Sequence, residues 1–106
     1  MKFRILFITC FLFLQFELSA AEDVLNKQVS NVYQLDSDAT TFEMRIEGPN
    51  SCGGVYWRVK SPNEAVANRK FSLVLTALTT KSPLSFHDIG VCEGDRSIVS
   101  WIRLSN

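Results

Sequence analysis

The chain has 106 residues, with 11 Lys and Arg against 11 Asp and Glu, so its formal charge at neutral pH is zero. Hydrophobic residues make up 46%, enough to build a core and too many for a disordered tail. This length excludes a multidomain enzyme or a long repeat array, and without a basic block the chain is no electrostatic binder of nucleic acid.

Lys2 and Arg4 precede an apolar run from Ile5 to Phe16, and Ser19-Ala20-Ala21 follows. A charged start, an apolar stretch and a small-residue cleavage site predict a secretory signal peptide over residues 1–20. The apolar run falls short of the roughly twenty residues a spanning helix needs, so no membrane span is expected. Removing those 20 residues from 106 leaves one domain, 21–106, with 9 basic and 10 acidic side chains among 86 residues. A core of that size is modest, and staples are common in such domains. Cys10 departs with the leader. Cys52 and Cys92 remain, and an even pair in an exported chain predicts a disulfide. Closing a loop of that length stabilises a fold by about 4 kcal/mol in the chain-entropy model. Two thiols with one histidine and no C-x-x-C spacing make a poor zinc site, so no metal or cofactor is expected.

Gln28 to Tyr33 favours a first strand, and Asp36 to Thr40 a polar turn. From Thr41 to Glu47, Phe42, Met44 and Ile46 alternate with Glu43, Arg45 and Glu47, the pattern of a half-buried second strand. Gly48 to Gly54 is a loop holding Cys52. In the third strand, antiparallel to the second, Val55, Trp57 and Val59 alternate with Tyr56, Arg58 and Lys60. Ser61-Pro62-Asn63-Glu64 predicts a helix start capped by Ser61. The helix runs to about Lys81, with Ala67, Phe71, Val74, Leu75 and Leu78 inward and Asn68, Ser72, Thr76 and Thr79 as a polar stripe. Pro83 ends it. Leu84 to His87 is a fourth strand, Asp88 to Ser97 a loop around Cys92, and Ile98 to Leu104 a fifth strand. In that last strand Ile98, Ile102 and Leu104 share one face, and Val99, Trp101 and Arg103 the other. The order βββαββ predicts a mostly β, α+β domain: a five-stranded antiparallel OB-like barrel, or a curved sheet, with the helix plugging one end.

Nothing in the chain specifies an enzyme. His87 is the lone histidine, and no Gly-x-Ser-x-Gly motif accompanies it. The acidic pairs Glu22-Asp23, Glu43 with Glu47, and Glu93 with Asp95 are expected to be solvated charges. Gly53-Gly54 lacks the Lys and helix of a phosphate loop. Binding fits better. Tyr56 and Trp101 lie opposite Trp57 and Ile102, with Arg58, Lys60 and Arg103 nearby, so they could stack on sugar rings or bases and supply hydrogen bonds. The competing structural role is to cover a second small core or a subunit contact. The Asp88 to Arg96 stretch, held by Cys92, is the other candidate surface.

Gly48, Cys52, Val55-Tyr56-Trp57, the run Asn68-Arg69-Lys70-Phe71-Ser72-Leu73-Val74-Leu75-Thr76-Ala77-Leu78, Cys92 and Trp101-Ile102-Arg103-Leu104 together resemble a group of small exported proteins of Gram-negative bacteria. That resemblance covers most of the mature chain and implies no particular activity. In architecture alone the chain is similar to the OB-fold B-subunits of AB5 toxins. This likeness implies a disulfide-bonded, glycan-binding oligomer, although this chain is shorter and its cysteines are placed differently. The expected function is therefore a non-enzymatic binding module of the periplasm or exterior, its partner a protein or a glycan. The alternatives are a toxin-B-like homo-oligomer and a small inhibitor or immunity-type protein.

Overall fold

A computed structural model describes residues 20–105, so residues 1–19 of the expected signal peptide, Cys10 among them, lie outside the described residues. The elements are β1 (Glu22–Lys27), β2 (Val29–Gln34), β3 (Thr41–Ile46), β4 (Tyr56–Lys60), α1 (Glu64–Thr80), β5 (Leu84–Glu93) and β6 (Arg96–Leu104). All six strands form one sheet in the order β1-β5-β6-β4-β3-β2. Neighbours are antiparallel except β4 and β6, which run parallel. The expected fully antiparallel set of five is thus a mixed sheet of six. The missed strand is β1, an edge strand of mostly polar residues held to β5 through its backbone. Only Val24 in it packs against the core, so its sequence shows no alternation.

β1 and β2 occupy opposite edges of this sheet, yet Gln28 alone separates them. In a flat sheet the five gaps between six strands, each about 4.8 Å, would hold those edges roughly 24 Å apart. Consecutive Cα atoms are only about 3.8 Å apart, so Lys27 and Val29 lie within roughly 7 Å of each other. The sheet must therefore curl strongly, although its hydrogen-bonded ladder does not close. Asn26, in the left-handed region at φ 55°, turns the chain just before the junction.

The core fills the inside of the curl. Phe42, Met44 and Ile46 of β3 meet Trp57 and Val59 of β4, Leu84 and Phe86 of β5, and Val99 of β6. Each such side chain stabilises the fold by about 1.5–3 kcal/mol when fully buried. In β6 a register shift between its pairings with Asp88 and Phe86 brings Val99 and Ile102 to the core side together, which corrects the expected split of that strand. The loop expected over 88–97 is also corrected. β5 continues through it to Glu93, and only Gly94-Asp95 turns the chain. Gly94, at φ 63°, supplies the positive φ that a tight hairpin needs at its first central position. The burial alternation of Leu84 and Phe86 continues through this stretch, so Asp88 and Gly90 are buried while Ile89 and Val91 are exposed.

Asn63, not Ser61, caps α1; its side chain accepts a hydrogen bond from the Val66 N–H at 2.9 Å. Glu64 follows in the first turn, where a negative charge suits the helix dipole. Lys81 ends the helix in the left-handed conformation. α1 packs on β2, β3 and β6, with Phe71 edge-on to Phe42 at 5.3 Å. Its buried residues are Ala67, Val74 and Ala77, whereas Leu75, expected inward, is 43% exposed. Lys70 lies near the sheet instead, its ammonium donating to the Ser100 carbonyl at 2.5 Å. Among the described residues no helix is long and apolar enough to cross a membrane. Leu75→Ala should change stability by less than about 0.5 kcal/mol. Ala77→Leu should overpack the helix–sheet contact and cost about 1–3 kcal/mol, as read by urea denaturation.

Cys52 and Cys92 are bonded, with Cα atoms 5.7 Å apart, tying the β3–β4 loop to the end of β5. The unreduced protein should weigh two hydrogens less than its dithiol form by mass spectrometry. Replacing both cysteines by serine should destabilise it by about 2–5 kcal/mol.

Candidate functional site

The four residues expected to bind fall into two separate places. Tyr56 and Arg58 project from the outer face of β4 and surround Glu43, which lies opposite Arg58 in the β3–β4 register. Far from being solvated, Glu43 is only 1% exposed. One of its carboxylate oxygens accepts from Arg58 Nε at 2.8 Å and Nη2 at 2.7 Å, and from Arg96 Nε at 3.3 Å. The other accepts from the Tyr33 hydroxyl. Arg58 also reaches Glu93 at 2.9 Å, and Lys60 pairs with the same carboxylate. Tyr56 stands edge-on to Tyr33 at 5.7 Å, under the Arg96 guanidinium 5.3 Å from its ring centre.

Burial alone would raise the Glu43 carboxyl. The hydrogen bonds from Tyr33, Arg58 and Arg96 outweigh it and hold the group below its ordinary value of 4.5. Burial, reinforced by the Glu43 hydrogen bond, raises the Tyr33 phenol and keeps it a donor. Lys60 first, then Arg58, lowers Glu93. The cations Arg58, Lys60 and Arg96 therefore face the anions Glu43, Glu93 and Asp95, and their charges are consumed within the protein. Alternation placed Glu43 on the outer face of its strand; its burial follows from neighbours that only strand pairing brings alongside.

Trp101 and Arg103 sit on β6, away from this network. Trp101 is 38% exposed. The His87 ring lies parallel to it, with centres 6.0 Å apart and planes at 13°, and the Arg103 guanidinium stands 5.6 Å from its ring. His87 Nδ1 donates to Asp23 at 2.8 Å, across the β1–β5 pairing that sets these residues opposite each other. Asp23 and His87 thus brace the tryptophan, a role that depends on the unexpected β1.

Between the two places runs the disulfide-anchored loop. The Asn50 amide donates to the carbonyls of Tyr56 (2.6 Å) and Asp95 (2.7 Å), and its oxygen accepts from the N–H groups of Cys52 and Gly54. Gly54 must be glycine, because a Cβ there would lie 2.4 Å from the Asp95 carbonyl oxygen. Ser51 Oγ donates to buried Asp88 at 2.6 Å and shares a hydrogen bond with Ser97. Two half-open hollows, of about 290 Å³ and about 580 Å³, share Ile46, Glu47, Gly48 and Pro49 in their linings. Compared with known proteins, the chain matches no family model and no curated protein.

A carboxyl lowered by folding stabilises the folded state fully above its unfolded pKa, and that contribution is lost as pH falls through the lower folded value. The acid limb of stability should therefore begin below about pH 4.5. Glu43→Gln should cost about 3 kcal/mol at neutral pH, leaving two guanidinium groups without their shared carboxylate. It should also flatten that limb, as measured by denaturation across the acid range.

Proposed function

We propose that the protein is an exported, non-enzymatic binding module on an OB-like barrel, contacting its ligand through Trp101 and Arg103. The observation that carries this reading is the exposed Trp101 ring, held in place by His87 on β5 and Arg103 on its own strand. A large aromatic left in water but fixed by its neighbours binds at low entropic cost. Tyr56 and Arg58, occupied by the Glu43 network, serve as scaffold in this reading. The barrel assignment rests on β1 and β2 acting as two halves of one bent strand, which reduces the chain to three strands, a helix and two strands. Export is supported by the disulfide, which suits an oxidising compartment, periplasmic or extracellular.

The preferred ligand is a glycan. Asp23 and Arg103 balance each other beside the indole, so the patch has no net charge to drive binding to a polyanion. An apolar ring face flanked by a donor and an acceptor matches the apolar face and hydroxyl rim of a sugar. A toxin-B-like homo-oligomer would present several such patches at once. Exposed Ile89 and Val91 on β5 favour a second reading, in which the Cys92 hairpin docks on a protein as an inhibitor would.

Glycan arrays and pull-downs run in parallel on wild type and Trp101→Ala test the proposal. The substitution should weaken binding by about 2 kcal/mol, roughly thirty-fold, while the melting temperature falls by less than about 8 °C. A larger fall in melting temperature with binding unchanged would return Trp101 to a structural role.

A further inference from the structure

A chain of polar side chains runs from inside the sheet to the disulfide. Asp88, fully buried, accepts from the Gly90 N–H at 2.9 Å and from the Ser51 hydroxyl at 2.6 Å. Ser51 Oγ lies 2.8 Å from Ser97 Oγ and, having given its proton to Asp88, accepts there. Ser97 is also fully buried; its oxygen accepts from the Ser51 N–H at 3.1 Å, and its hydroxyl reaches the Cys52 sulfur at 3.1 Å. The single Ser97 proton therefore has two acceptors, Ser51 Oγ and Cys52 Sγ. A disulfide sulfur is a weak acceptor, whereas a thiolate at the same place draws the proton to itself.

The two sulfurs differ in access. Cys92 is exposed on β5, and Cys52 is half-buried against Ser97. The loop carrying Cys52 does not depend on the bond for its position. Asn50 fastens it to the carbonyls of Tyr56 and Asp95, and Ser51 fastens it to Asp88 and Ser97. Opening the bond thus leaves Cys52 beside β5 in a folded chain.

We infer that Cys92 is a modification site for a small thiol, with Cys52 as the leaving group. The thiolate of the incoming molecule attacks Cys92 Sγ and forms a new S–S bond; the Cys52–Cys92 bond breaks, and its electron pair departs on Cys52 Sγ. One disulfide replaces another, so no oxidant or reductant is consumed and no proton is transferred. Ser97 swings its hydroxyl from Ser51 to the new thiolate, and a better-stabilised thiolate leaves faster. Because the loop stays in place, Cys52 can attack Cys92 again and expel the small thiol, which restores the original bond.

Reduced glutathione is the probe, added to the disulfide-bonded protein and quenched in acid before peptic mapping by mass spectrometry. Glutathione should appear on Cys92 with a free thiol at Cys52, while near-ultraviolet circular dichroism stays native. The rate of opening should not change with urea added below the unfolding transition. Ser97→Ala removes the donor to the leaving thiolate and should slow opening about tenfold. Were the bond opened only through unfolding, this destabilising substitution would speed it, so the sign of the change separates the two routes. No adduct, an adduct chiefly on Cys52, a rate that climbs with urea, or opening in Ser97→Ala at least as fast as in wild type overturns the site. If Ser97→Ala fails to fold, the adduct position and the urea dependence of wild type decide.

Discussion

Gln28 joins two strands that lie at opposite edges of the same sheet, and most other features follow from that covalent constraint. A six-stranded sheet cannot stay flat when a single residue spans its edges. Once it curls, an inside exists for Phe42, Met44, Trp57, Phe86 and Val99, and so do two ends. The helix seals one end through Phe71, Val74 and Ala77, and the loop from Glu47 to Ser51 borders the other. Arg96 and Trp101 lie on the same strand, and the length of β6 between them, about 17 Å, separates the Glu43 network from the tryptophan.

A buried carboxylate on an outer face is an unusual way to fasten strands. Glu43 links β3 to β2 through Tyr33, to β4 through Arg58 and to β6 through Arg96. Four strands thus share one side chain, across a part of the sheet where β4 and β6 pair in parallel over only three residues. Removing an ion from water costs several kcal/mol, and charge-assisted hydrogen bonds from two guanidinium groups and a phenol offset that cost. The network therefore contributes as much to fixing the relative position of the strands as to net stability.

Much of this was legible in the chain. The Thr41 to Ile46 alternation, the helix between Pro62 and Pro83, and the Cys52–Cys92 bond follow from short-range periodicity and cysteine count, and the structure carries all three. What stayed hidden depends on pairing between distant residues. β1 holds its place by backbone hydrogen bonds to β5 and by the Asp23–His87 contact, neither of which shows as hydrophobic alternation. β5 reads as a loop beyond His87 because its continuing alternation puts the polar Asp88 and Gly90 inside and the apolar Ile89 and Val91 outside. Leu75 fits the helical period as well as Ala77 does, but the close approach of α1 to the sheet admits the smaller side chain. Tyr56, Arg58, Trp101 and Arg103 were visible as aromatic–cation pairs, and only the register divides them into two neighbourhoods.

The disulfide also bears on how quickly the fold can assemble. Parallel pairing of β4 with β6 sets Trp57 opposite Ser97, and the cysteines likewise join positions separated by 40 in sequence. Both links close essentially the same loop. In a reduced chain, that closure must occur by diffusion before a pairing of only three residues can hold, the kind of non-local step that slows β-rich folding. In the oxidised chain the loop is already closed when the strands meet, so the slowest contact to find becomes a local one. A domain that acquires this cross-link early thus gains speed where its topology is least favourable.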